Sequence, residues 1–237
     1  MSNETIILSI TAASIGFFHT LFGPDHYVPF IVMAKARKWS YLKTILITLG
    51  CGIGHVGSSV ILGLIGASLG LAVLKLEIFE SIRGEWAGWA LITFGFVYFV
   101  WGIRQAIKNK PHTHPHVHSD GSIHNHTHKH SQEHAHVHEK SSLAKPIPWA
   151  LFVIFVLGPC EPLIPLLMYP AAKHSFFSMV VIASIFSVVT ISTMLGVVLL
   201  GTFGMSFVPF KRFERYSHAL AGLVVFFCGY AIKFLGL

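Results

Sequence analysis

Three ionisable residues stand within eight positions of an otherwise apolar run, His19-Thr-Leu-Phe-Gly-Pro-Asp25-His26. Ionisable groups at membrane depth are costly and normally mark an ion or substrate path. Imidazole and carboxylate suit late first-row divalent metals. In a continuous helix His19 and His26 share one face, with Asp25 about 100° round it. Gly23-Pro24 is expected to break that helix, because Pro24 has no N–H for the Thr20 carbonyl and its ring crowds the turn. Such a break frees carbonyls and lets Asp25 swing toward the two imidazoles. A fourth candidate, His55, lies in Gly52-Ile-Gly-His55-Val-Gly-Ser-Ser, where small neighbours permit close helix approach. His19, Asp25, His26 and His55 are therefore the expected metal ligands.

Gly158-Pro159-Cys160-Glu161-Pro162-Leu-Ile-Pro165 carries a second break, with prolines removing backbone donors at three-residue intervals. Glu161 is costly there unless paired. Its expected roles are metal ligation, carriage of a coupling proton, or binding a cation from the first half. Cys160 is a soft ligand or plain packing. Ser187, Thr190, Ser192 and Thr193 are expected to bond back to their own helix, and His174 and His218 fall near span ends.

The elements that must position these groups are membrane elements. The chain is 53% hydrophobic and 11% charged, with a mean hydropathy of +0.65, against about 25% charged residues in ordinary soluble domains. Runs long enough to cross a bilayer as helices occur at roughly 6–33, 44–74, 86–107, 147–172, 175–203 and 216–236. Backbone polar groups in lipid must be satisfied internally, so unalternating runs such as Ser178–Leu200 are read as helices and not as barrel strands. The expected fold is all-α, a polytopic membrane protein with six transmembrane helices. No Lys or Arg precedes the first run, so it lacks a signal-peptide n-region and is expected to be a mature helix. Cys51, Cys160 and Cys228 all lie in apolar runs and form no disulfide framework.

Six crossings divide the 17 Lys and Arg residues unequally. Lys35, Arg37, Lys38, Lys43, Arg104, Lys108, Lys110, Lys129, Lys140, Lys145, Lys211, Arg212 and Arg215 fall on one side, and Lys75, Arg83, Lys173 and Lys233 on the other. The richer side is expected to be cytoplasmic, with both termini outside a cell membrane. The net charge of +7 thus reflects topology and calls for no nucleic-acid partner.

The chain repeats around a polar centre. Gly23-Pro24-Asp25-His26 followed by Met33 matches Gly158-Pro159-Cys160-Glu161 followed by Met168, and at the same offset Gly66 falls on Gly201. Trp101-Gly-Ile-Arg104 resembles Tyr230-Ala-Ile-Lys233. Three crossings per copy put two copies, 1–107 and 146–237, in opposite orientations, the inverted-repeat plan of many transporters. Between them, 108–145 holds His112, His114, His116, His118, His124, His126, His128, His130, His134, His136 and His138. A segment of this composition is expected to be a disordered cytoplasmic loop that collects or senses metal.

At these motifs the chain resembles the nickel/cobalt transporter superfamily, most closely its small six-helix members of the urease accessory protein H-like type. The points of likeness are His19-x5-Asp25-His26 with Gly23-Pro24, Gly54-His55, and Gly158-Pro159-Cys160-Glu161. The resemblance implies that His19, Asp25, His26 and His55 select the metal. The nickel/cobalt efflux branch is similar in plan, with a His-rich loop between its halves. A related branch, the cytochrome c biogenesis electron carriers, places a redox cysteine in each half. Here Asp25 stands where the first of those would be, so a thiol relay is not expected.

The chain is expected to be a secondary transporter and not an enzyme, moving Ni²⁺ or Co²⁺, with Zn²⁺ as a further candidate. No prosthetic group is expected, and homo-oligomers or accessory subunits remain open. No ATP-binding motif is present, so energy is expected from an ion gradient, the membrane potential or another subunit. The rivals are transport of Fe²⁺ or a small anion, and a metal sensor or assembly partner without flux.

Overall fold

A computed structural model describes residues 3–69, 73–108, 112–117, 123–128, 146–160, 162–173, 175–207 and 214–235. Its body is helical throughout: α1 (Asn3–Phe22), a 3-10 turn (Pro24–His26), α2 (Val28–Arg37), α3 (Tyr41–Ser68), α4 (Val73–Lys108), α5 (Pro146–Leu157), α6 (Leu163–Ala172), α7 (Phe176–Gly204), a second 3-10 turn (Glu214–Tyr216) and α8 (Ser217–Leu235).

Five helical segments are long and apolar enough to cross a membrane: Asn3–Phe22, Tyr41–Ala67, Val73–Lys108, Phe176–Gly204 and Glu214–Leu235. Only 28–33% of the most apolar window of each is buried inside the protein. Side chains such as Phe22, Leu200 and Phe203 point outward from the bundle, more than half exposed. In water such a surface would drive aggregation, whereas in lipid it is the solvated face. The protein therefore has the build of a multi-pass membrane protein.

Two apolar runs are each divided. The first consists of α1, the 3-10 turn and α2, and the second of α5 and α6. At 1.5 Å per residue, α5 (12 residues) and α6 (10 residues) are about 18 and 15 Å long, so neither crosses alone. α2 ends where Lys38 adopts φ 52°, its N–H reaching the Ala34 and Lys35 carbonyls. Ser40 then caps α3 by accepting from the Lys43 N–H at 3.3 Å.

The halves interlock. α1 lies along α7 and α5 along α3, while α2 packs on α7 and α8 and α6 on α3 and α4. The most extensive contact joins α4 to α8, where glycines let backbones touch. A Cβ on Gly95 would come within 2.3 Å of the Phe226 nitrogen, and one on Gly222 within 2.3 Å of the Phe99 nitrogen. Likewise Gly102 abuts the Ala219 backbone and Gly229 that of Ile92. Gly95 and Gly222 also face each other, a Cβ on either lying 2.9 Å from the other's carbonyl oxygen.

Two observations differ from expectation. α4 starts at Val73, well before the predicted 86, so Arg83 is a bundle residue and not a loop charge. In the central segment, expected to be disordered, β1 (His112–Val117) and β2 (Ile123–His128) pair antiparallel. Alternation of His with other residues has the two-residue period of a strand, and the register sets His112 opposite His128, His114 opposite His126 and His116 opposite His124. His118, His130, His134, His136 and His138 lie outside the described residues.

Candidate metal centre

His19 sits in the last turn of α1, His26 in the 3-10 turn and His55 midway along α3. The break that brings the first two together is local chemistry. Gly23 N–H still reaches the His19 carbonyl at 3.0 Å, but Pro24 donates nothing and the chain tightens so that His26 N–H bonds the Gly23 carbonyl at 3.1 Å. His26 is thereby turned back under His19, their ring centroids 4.8 Å apart. His55 approaches from α3 with its ring centroid 5.0 Å from that of His26.

One ligand atom from each of His19, His26 and His55 can be chosen so that all lie within 4.8 Å of one another. His26 and His55 are each 3% exposed, so no bulk water shares the space between them. The ring nitrogens facing away are committed. His26 Nδ1 lies 3.0 Å from Asp25 Oδ1 and 3.2 Å from the Gly23 carbonyl, both acceptors, so it carries the proton. His55 Nδ1 lies 3.3 Å from the Phe155 carbonyl and donates for the same reason. In neutral rings the lone pairs then sit on Nε2, and these two atoms face each other at 3.3 Å. His19 Nε2 is buried with no hydrogen-bond partner among the described residues.

Two buried lone pairs facing each other repel unless a cation or proton lies between them. A buried polar group without a partner costs about 1–3 kcal/mol. Metal–imidazole bonds of about 2.0–2.1 Å put adjacent ligand nitrogens about 2.8–3.4 Å apart for angles between octahedral and tetrahedral. The observed 3.3 Å falls in that range, at its tetrahedral end. The donor set therefore fits a late first-row divalent ion, with a His19 nitrogen within 4.8 Å of the other two.

Asp25 stands one bond back. Its carboxylate accepts from His26 Nδ1–H, the orienting position behind metal-bound histidines, and it is absent from the close group of ligand atoms. Its side chain is 30% exposed toward a cavity of about 850 Å³ that also touches His19, His26, Ser14, Ser81 and the Glu85–Lys233 ion pair. That cavity connects the histidines to the protein surface. Gly23 lies against the site, since a Cβ there would come within 2.5 Å of His26 Nδ1 and 2.9 Å of Asp25 Oδ1.

The second break, at Gly158 and Pro159, backs onto the same place. A Cβ on Gly158 would press to 3.1 Å from His55 Nδ1. Cys160 is fully buried among Ala12, Val56, Leu163 and their neighbours and is not in the close group of ligand atoms. Glu161 lies outside the described residues. Ser187 bonds back to the Ala183 carbonyl as expected, whereas Thr190 Oγ1 is buried with no partner among the described residues because it packs against Gly16 of α1. His218 meets Tyr98 at 2.8 Å, away from the centre.

Sequence reasoning missed Glu80 and Arg83. Glu80 is fully buried and paired with Arg83, and both bond to the second break. An acidic and a basic residue three apart were visible, but with the span begun at 86 they fell into a loop.

Comparison with known protein families, with curated proteins and with solved structures finds no match. Fold and centre together define the class, a multi-pass helical membrane protein with a buried three-histidine cluster at a helix break.

Proposed function

We propose that this protein is a secondary transporter that moves a divalent transition metal, Ni²⁺ or Co²⁺ in preference to Zn²⁺, through the His19, His26 and His55 cluster. The observation that carries the proposal is the pair of Nε2 atoms facing at 3.3 Å in a dry interior, with a third imidazole nitrogen unpartnered beside them. Such an arrangement is a cost to the fold unless it serves to bind a cation.

Transport, and not static binding, is favoured by where the cluster sits. It lies at a broken helix facing a second broken helix of the other half, and a large cavity reaches it from one side. Interlocked packing of α1 on α7 and α5 on α3, with reciprocal glycine contacts between α4 and α8, supports two inverted three-helix units. With each broken run counted as one crossing, six crossings place the His-rich segment on the Lys- and Arg-rich, cytoplasmic side and both termini outside. Rocking of one unit against the other would expose the cluster to the two sides in turn. This agrees with the resemblance of the motifs to the nickel/cobalt transporter superfamily.

Selectivity must come from geometry, because raw affinity favours Cu²⁺ over Ni²⁺ and Co²⁺. Asp25 fixes the tautomer of His26, and Glu161 is proposed to complete the site or carry the coupling proton. The His-rich segment gathers metal, a role supported by three histidines in register opposite three others.

The test is metal flux into liposomes containing the purified chain, with Ni²⁺, Co²⁺ and Zn²⁺ compared under pH gradients of both signs. Flux that His26→Ala abolishes and deletion of 112–138 spares is expected. No flux of any metal by folded protein would sink the proposal, and loss of a metal response only on loop deletion would replace transport with sensing.

A further inference from the structure

We infer that Glu80 and Arg83 are positioning residues for the metal centre, an α4 clamp that holds the second helix break so that the Phe155 carbonyl fixes the ring of His55. The inference rests on the metal site of the transport proposal and adds two residues that touch none of its ligand atoms.

The clamp satisfies the backbone that the break exposes. Arg83 Nη2 donates to the Val156 carbonyl at 2.8 Å and the Gly158 carbonyl at 3.3 Å, near the end of α5. Glu80 Oε2 accepts the Cys160 N–H at 3.0 Å, on the far side of Pro159. Cation thus meets carbonyls and carboxylate meets an amide, the arrangement that suits the two sides of a helix break in lipid. Glu80 and Arg83 are also bonded to each other.

The same pair holds α3. Arg83 Nη2 donates to Ser58 Oγ at 2.6 Å, and Ser58 Oγ in turn donates to the His55 carbonyl at 2.8 Å. Ser59 Oγ donates to Glu80 Oε2 at 3.2 Å. His55 is therefore held twice, through its own carbonyl and, at Nδ1, by the carbonyl of Phe155, which directly precedes the residue Arg83 grips. Fixing Nδ1 as the donor leaves Nε2 free to bind, so the clamp acts on the ligand through its outer partner. Among the described residues the first break has no such clamp from another helix. Its polar groups are met locally, by Asp25, His26, Gly23 and the Tyr27 hydroxyl, which donates to the Leu21 carbonyl at 3.3 Å.

The experiment is a Co²⁺ titration of the purified full-length protein, followed by visible d–d absorption, with the component that His26→Ala removes taken as the intramembrane site. Arg83→Lys keeps the charge but loses the fork that reaches several acceptors at once. Arg83→Lys and Glu80→Gln are expected to weaken that component about 10–100-fold, the effect typical of outer-shell losses, and to shift its absorption band as the His55 ring turns. A folded Arg83→Lys with native affinity and a native band overturns the inference. If both charge variants aggregate, Ser58→Ala decides, with a loss of at least about threefold expected and unchanged affinity and band overturning it. Identical titrations of the native chain and His26→Ala would remove the metal site itself, and the transport proposal would fall together with the clamp.

Discussion

His26 and His55 meet through their Nε2 atoms at 3.3 Å, and each ring has its other nitrogen tied to an oxygen, Asp25 Oδ1 for one and the Phe155 carbonyl for the other. On the proposed reading this relationship makes the two histidines ligands and Asp25 an orienting group, and so ranks substitutions. His26→Ala and His55→Ala each remove a proposed ligand and are expected to abolish saturable Co²⁺ binding at the intramembrane site. Asp25→Asn leaves an acceptor near His26 Nδ1 but no charge, and should weaken binding about 10–100-fold without abolishing it. Titration of the three variants checks the order, and an Asp25→Asn as dead as His26→Ala would make Asp25 a ligand in its own right.

Gly23→Ala probes the break without replacing any of the three histidines. The added methyl would lie 2.5 Å from His26 Nδ1, closer than real Cβ contacts, so the imidazole must move. Metal affinity is expected to fall about tenfold or more while the protein still inserts and elutes as a single species. Native affinity in Gly23→Ala would show that the geometry at Pro24–His26 does not govern the site.

Protons and metal compete for the same nitrogens. A ligand imidazole must be unprotonated, so affinity should be highest where all three rings are neutral and fall as pH drops into the range where they take up protons. Each proton displaced on binding costs about tenfold per pH unit within that range. Co²⁺ affinities measured down to the lowest pH at which the protein stays folded check this, and an affinity that falls nowhere on that scale would remove histidines from the ligand set.

The α4–α8 contact should be intolerant of bulk. Gly222→Leu places a side chain where the Phe99 backbone already lies, 2.3 Å from a Cβ. The helices must separate, at a cost of about 3 kcal/mol, the upper part of the overpacking range. Thermal unfolding in detergent should register a clear drop, whereas Gly196→Leu, with open space around its Cβ position, should be near neutral.

Much of this was legible in the chain because it is local. Hydropathy marks membrane helices, since lipid offers backbone no alternative partner. Gly23-Pro24 marks the break, since proline's missing donor acts within one turn. Ionisable groups in apolar runs single out His19, Asp25, His26 and His55, which the fold brings together at one break, since burying such groups carries a cost.

Tertiary structure decided what depends on distance between segments. That Asp25 bonds His26 Nδ1 while His26 Nε2 faces His55 depends on how a 3-10 turn lies against α3, and sequence spacing carries no such information. The register of α4 on α8 is set by backbone approach at Gly95 and Gly222, which no sequence motif marked as a contact. Glu80 and Arg83 look in sequence like charges at a membrane edge. Their bonds to Val156, Gly158 and Cys160, more than seventy positions on, make them part of the interior. A charge is buried only where the fold brings partners to it, and that meeting is a property of packing rather than of any one stretch of chain.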